Sequence, residues 1–137
     1  MNHYILVGKE PVLEPDLIKW GHWFGNNPVE NRRVAHTRLA SCSVSTVFLG
    51  LDHRFGGDGP PLLFETMVFL CEGEVSEYAD YVEKRYSTWA EAEAGHWVTV
   101  LMAELTMTTR RYRARLDEAA APPLKYTTIE GVTEILF

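Results

Sequence analysis

The sequence predicts an α+β fold, a single domain over residues 1–137 with a mostly antiparallel sheet, a short N-terminal helix and a long C-terminal helix packed on the sheet. Three observations predict it. Runs rich in β-branched and aromatic residues between positions 32 and 71 are separated by turn signals. Pro15-Asp16 opens a segment with helical spacing of apolar residues. Thr88 and Glu91 stand at capping-box spacing, where each side chain satisfies an exposed amide of the other's turn, ahead of a second and longer helical pattern.

Taken in order, His3 to Val7 alternates loosely and ends at Gly8, which suits a short first strand. The first helix runs to about Phe24, with Leu17, Trp20, Trp23 and Phe24 on one broad face as an apolar lid. Gly25-Asn26-Asn27-Pro28 stops it, because Gly and Asn tolerate left-handed geometry and Pro cannot extend the ladder. Arg32 to Leu39 and Ser43 to Phe55 read as strands joined by a tight turn at Ser41-Cys42. Phe55-Gly-Gly-Asp-Gly-Pro-Pro61 is the strongest turn signal in the chain. Leu62 to Cys71 returns as a strand apolar on both faces, hence central and covered on both sides. The acidic stretch Glu72 to Asp80 reads as a loop or strained hairpin, and Tyr81 to Tyr86 as a further strand. The long helix carries an inward stripe of Trp89, Ala92, His96, Val100, Ala103 and Met107, weakened in its middle by Gly95, and ends at Ala119 to Pro123. Tyr126 to Phe137 can add an edge strand or an arm that reaches a neighbouring subunit.

Composition narrows the function classes. With 46% hydrophobic and 23% charged residues the chain has the make-up of a globular protein. No apolar run approaches the roughly 18 residues needed to cross a bilayer, and the amino terminus has no secretory-signal pattern, so no membrane association is expected. A net charge of -6 argues against a grip on polymer nucleic acid, which depends on many Lys and Arg replacing counterions. Arg110, Arg111, Arg113 and Arg115 cluster late in the chain, where cations favour the negative end of a helix. Cys42 and Cys71 lie in strand-like runs and read as small core residues, with no spacing that supports a zinc site.

The most informative polar set surrounds the predicted hairpin. With Phe55 roughly opposite Leu62, Asp52 falls near Glu65. A carboxylate flanked by Phe64, Met67 and Phe69 needs a partner, because desolvating it unpaired costs several kcal/mol. Arg54, Arg38 or Arg85 could supply that partner and fix the register. The functional reading makes Thr46, Asp52 and Glu65 orienting groups in an aromatic-lined pocket. Arg54 and Arg85 would hold an anion there, and Phe64, Met67 and Trp89 would form apolar and stacking walls. A metal-dependent hydrolase would instead use Asp52, His53, Glu65 and His96, although adjacent Asp52 and His53 point to opposite faces of a regular strand. His36-Thr37-Arg38 has a faint likeness to the His-x-Thr motif of two-histidine phosphoesterases, without a second copy.

Ser45-Thr-Val-Phe-Leu-Gly-Leu-Asp-His53, Pro60-Pro-Leu-Leu-Phe-Glu-Thr-Met-Val-Phe69 and Tyr86-Ser-Thr-Trp-Ala-Glu-Ala-Glu-Ala-Gly-His96 resemble a family of small proteins encoded by tailed bacteriophages and prophages. The chain departs from that pattern at Leu70 to Asp80, where an acidic insertion replaces a short turn. The resemblance implies a phage accessory protein in the cytoplasm of the bacterial host. By analogy of origin and size, it suggests sequestration of a small phosphorylated or cyclic-nucleotide-type ligand to counter host immune signalling; the lack of a nucleophile context suits a non-catalytic, cofactor-free binder, and self-association is expected through tail or helix surfaces. A protein-binding inhibitor or virion accessory protein is the alternative of another class.

Overall fold

The computed structural model describes residues 1–70, 83–118, 125–129 and 132–136. It has the α+β class read from the sequence, with antiparallel sheets, a short helix near the amino terminus and a long one near the carboxy terminus. The chain forms two compact units, Met1–Glu104 and Leu105–Phe137.

In the first unit, β1 (Tyr4–Val7) and β2 (Glu10–Leu13) form a hairpin. Gly8 turns it with a φ of +64°, a left-handed conformation open to glycine. The sequence reading assigned no strand to β2, which carries Pro11. Proline is tolerated here in a two-stranded ribbon whose outer edge needs no donor. Asp16 caps α1 (Leu17–Asn26), its carboxylate accepting from the amides of Ile18 at 3.0 Å and Lys19 at 3.2 Å. Trp20, Trp23 and Phe24 turn inward, Trp23 edge-on to Phe48 at 6.0 Å between ring centres. Leu17, expected on the same lid face, is 59% exposed.

After a 3-10 turn at Val29–Arg32, the main sheet forms in the order β3-β4-β5-β6 from Arg33–Arg38, Cys42–Phe48, Phe64–Leu70 and Glu83–Tyr86. Side chains alternate across it. Cys42, Val44, Thr46 and Phe48 of β4 share one face with Phe64, Thr66 and Val68 of β5, and all are buried. The amino-terminal half of α2 (Trp89–Glu118) lies on this face and buries Ala92, His96, Thr99, Val100 and Ala103. Glu91 accepts from the amides of Ser87 and Thr88, and Thr88 Oγ1 accepts from the Glu91 amide at 3.2 Å, the capping box the sequence announced. The centre of the core is Phe48, Leu63, Phe64 and Ala92, ringed by Tyr4, Leu6, Trp23, Val34, Tyr86 and Trp89. Burying Phe48 and Phe64 contributes about 2 to 3 kcal/mol each.

Two expectations are corrected. The strand after Ser43 leaves the sheet at Phe48, well before Phe55, because Gly50 turns the chain with a φ of +76°. Trp20 and Phe24 pack directly on Gly50, where an added Cβ would meet Phe24 at 3.1 Å. Val47 therefore stands opposite Glu65, and Asp52 lies beside Leu62 instead of Glu65. The second correction concerns β5, which is covered on one face only among the described residues: Met67 is 38% and Phe69 50% exposed. Its own composition suggested two covers, but its cross-strand neighbours on that face include Ser43, Ser45 and Arg85, with His36 and Arg38 one strand beyond, and these demand polar company.

The second unit holds the rest of α2 and a separate hairpin of β7 (Lys125–Ile129) and β8 (Val132–Leu136), where the sequence suggested a single edge strand or arm. Cys71, the acidic stretch Glu72 to Asp80, Tyr81 and Val82 lie outside the described residues. No helix among the described residues is long and apolar enough to cross a membrane.

Candidate functional site

The structure distributes the sequence-predicted residues over three places. Thr46, Phe64 and Trp89 lie on the helix-covered side of the sheet. Asp52 and Arg54 belong to the excursion between β4 and β5. Glu65, Met67 and Arg85 share the open face.

Under α2, His96 is fully buried, with Nδ1 2.9 Å from Thr46 Oγ1 and Nε2 2.9 Å from Thr37 Oγ1. Thr46 Oγ1 in turn shares a hydrogen bond with Thr66 Oγ1 at 2.6 Å. Both ring nitrogens are thus satisfied by hydroxyls that can donate or accept as needed, so the neutral imidazole fits without a counter-ion. Burial holds the His96 pKa below the usual histidine value, and a positive charge on His36 adds to the effect. The unfolded chain therefore takes up this proton more readily than the folded one. Stability is fully present above about pH 6.5, the unfolded value, and declines as pH falls toward the depressed folded value. In urea melts at pH 7.5 and 5.0, His96→Gln is expected to lose less stability between the two pH values than wild type does; an equal loss in both would contradict this assignment.

The excursion from Leu51 to Pro61 is held by its own polar groups. Asp52 Oδ1 accepts from the amides of Arg54 at 2.9 Å and Leu62 at 3.1 Å. Arg54 Nε donates to the Pro60 carbonyl at 2.6 Å, and its Nη1 to that of Asp58 at 3.2 Å. The guanidinium packs over Gly59, whose φ of +125° and lack of a side chain admit it. Phe55 has a φ of +51°, rare for a bulky residue, and its ring is 68% exposed. A shallow cleft of about 350 Å³ lies between Met1, Asn2, Asp52, Phe55 and Gly56.

The open face of the sheet has a regular cross-strand order. Arg38, Ser43 and Phe69 form one rank, and His36, Ser45 and Met67 the next. Arg33, Val47, Glu65 and Arg85 form a third. A bulge at Val34 lets both Val34 and Ala35 face the core, which returns Arg33 to the open side. The middle residues of the first two ranks are small. The serines therefore make a floor, with cations on one flank and exposed apolar side chains on the other, the flanks about 10 Å apart across two strand spacings.

Glu65 is answered by Arg85, its cross-strand neighbour, whose Nε donates to Glu65 Oε2 at 2.9 Å; the Glu65 side chain is only 12% exposed. Among the described residues, neither Arg33 nor Arg38 has a carboxylate within 4.0 Å. Arg33 Nε is buried without a hydrogen-bond partner. Two arginines of this face thus have no carboxylate partner among the described residues. Arg33, His36, Arg38, the two serines and Phe69 were not among the sequence-predicted site residues. Their signal was the alternation of Ser43 and Ser45 with Val44 and Thr46, but the cross-strand ranks depend on register and on the bulge.

Asp52, His53, Glu65 and His96 do not converge, and no three His, Cys, Asp or Glu residues among those described come together as metal ligands. Comparison with protein-family models, with curated proteins and with solved structures finds no match for the chain.

Proposed function

We propose that the domain binds a small anionic, nucleotide-like ligand non-catalytically on the open face of its main sheet. The observation that carries this reading is the cationic flank of Arg33 and Arg38, unanswered by carboxylates, facing exposed Met67 and Phe69 across a serine floor. Arginine suits phosphate because its planar fork donates two parallel hydrogen bonds, and an aromatic or thioether surface suits a base. Ser43 and Ser45 would orient the sugar or phosphate, while the Glu65–Arg85 pair closes one end of the trough.

On this reading Arg85, Glu65 and Met67 would line the ligand, while Thr46, Phe64 and Trp89 belong to the core. Asp52 and Arg54 serve the loop, since their polar atoms are engaged by its backbone. A binder is favoured over a catalyst because Asp52, Glu65 and His96 are each engaged in structural hydrogen bonds. The phage-family resemblance supports a role in sequestering a signalling nucleotide in the bacterial cytoplasm.

Isothermal titration with AMP, cyclic AMP and cyclic di-AMP tests this. Arg38 is exposed on an edge strand, so Arg38→Glu should leave the melting temperature within about 2 °C of wild type. It should weaken binding of the best ligand at least about tenfold. Unchanged affinity in the variant would remove the open face from consideration.

A further inference from the structure

Helix α2 is apolar on two opposite sides, and only one of them meets the sheet. Ala92, His96, Val100 and Ala103 are buried, whereas Trp97, Val98, Leu101 and Leu105 are each more than half exposed, with Met102 at 46% beside them. A helix face toward water is ordinarily polar. Along the helix the exposed apolar residues Val98, Leu101 and Leu105 fall at heptad positions, with polar residues at several positions of the same two rows toward either end. Glu91, Val98, Leu105 and Tyr112 recur at one position, and Ala94, Leu101, Thr108 and Arg115 at a second, spaced alternately three and four residues apart.

We propose that this face pairs, antiparallel, with the same face of a second copy of the chain, about a two-fold axis at the level of Ala103. Area is the first argument. The five exposed apolar residues offer roughly 500 Å² per copy, so about 1,000 Å² in a two-fold pair, which reaches the size of a specific interface. Charge is the second. This register sets Leu101 against Leu105, Ala94 against Tyr112, Glu91 against Arg115 and Trp97 beside Arg111 of the other copy. A parallel pair would instead stack Glu91 on Glu91 and Arg115 on Arg115, like on like.

The third argument is a cavity. A hollow of about 220 Å³ is lined by Thr108, Arg111, Tyr112 and Arg115. Their spacing is that of the four residues that form the hole for a knob from a facing helix. In the antiparallel register Ala94 of the second copy lies over this hollow, one turn from Glu91, which meets the arginines that line it.

Sedimentation equilibrium on the full chain at neutral pH provides the test. Wild type should be a dimer at micromolar concentration. Leu101→Glu and, separately, Val98→Glu should be monomers with an unchanged far-UV circular dichroism spectrum. Arg115→Glu should weaken the dimer at least about tenfold by facing Glu91 of the other copy, and Glu91→Gln in the same chain should restore most of the loss while keeping the capping box. If Leu101→Glu perturbs folding, the Val98 and Arg115 variants decide. A monomeric wild type would overturn the proposal, whether residues 119–137 or another protein covers the face. So would a dimer indifferent to Leu101→Glu and Val98→Glu. Equal dimerisation of the Arg115→Glu chain would overturn the antiparallel register.

Discussion

Gly95→Ala is expected to destabilise the protein by about 2 kcal/mol, against the usual direction of that exchange in a helix. Alanine normally gains up to about 1 kcal/mol over glycine at an interior helical position, by restricting the unfolded chain. Here an added Cβ would fall on the ring and hydroxyl of Tyr86, which packs onto the α2 backbone at this point. Tyr86 has little freedom to retreat. Its backbone pairs with Phe64 in β6, its carbonyl accepts from the Leu63 amide at 2.9 Å, and its ring borders the central core. Overpacking of this kind costs about 1 to 3 kcal/mol, and lost Tyr86 packing adds to it. Chemical denaturation of the variant should show a lower midpoint with an unchanged slope. The double variant Gly95→Ala with Tyr86→Phe should recover part of the loss, because it removes the hydroxyl that meets the new methyl; that hydroxyl is buried without a hydrogen-bond partner.

Arg32→Ala should cost about 3 kcal/mol or more, the other large effect expected from a single substitution. Arg32 is only 9% exposed, yet its partners are carbonyls and a ring. Nε donates to the Asn27 carbonyl at 2.9 Å and Nη1 to the Phe48 carbonyl at 2.8 Å, and the guanidinium carbon sits 3.9 Å from the centre of the Phe24 ring. Burial lowers its pKa from the ordinary arginine value, and Glu30 partly offsets this, but the group stays charged at every accessible pH. Removing it strands the Phe48 carbonyl at the centre of the core and unties the carboxy-terminal end of α1 from β4. Arg32→Lys should recover less than half of the loss, since an ammonium cannot bridge both carbonyls while lying flat on Phe24. Thermal melts of the two variants would check the order wild type, Lys, Ala.

These two residues show where sequence reading stops. Gly95 read as a weak point in a helix, because propensity describes a helix alone and not the tyrosine seated on it. Arg32 stood at the presumed start of a strand and carried no sign of burial. Local chemistry was legible elsewhere. The helix start at Pro15-Asp16, the capping box of Thr88 and Glu91 and the inward stripe follow from short-range rules; the structure agrees with the first two and, of the stripe, buries Ala92, His96, Val100 and Ala103, with Trp89 and Met107 half-buried. The hairpin partner of β1, which carries Pro11, was assigned no strand. Glu65 was expected to need a cation, and three arginines qualified; only the register of β6 selects Arg85. The open face escaped notice for the same reason, since Arg38, Ser43 and Phe69 are neighbours across strands and never along the chain. The bulge at Val34 further concealed Arg33 by breaking the two-residue period.

The site assignment meets its most direct test in two-dimensional ¹⁵N–¹H NMR of the full chain titrated with the tightest-binding nucleotide of the panel. Amides of His36, Arg38, Ser43, Ser45, Met67 and Phe69 should move together and saturate, while those of Asp52, Arg54, Phe55 and the α2 segment around His96 stay in place. Shifts confined to the loop around Phe55, or saturation with the sheet amides unmoved, would contradict the account.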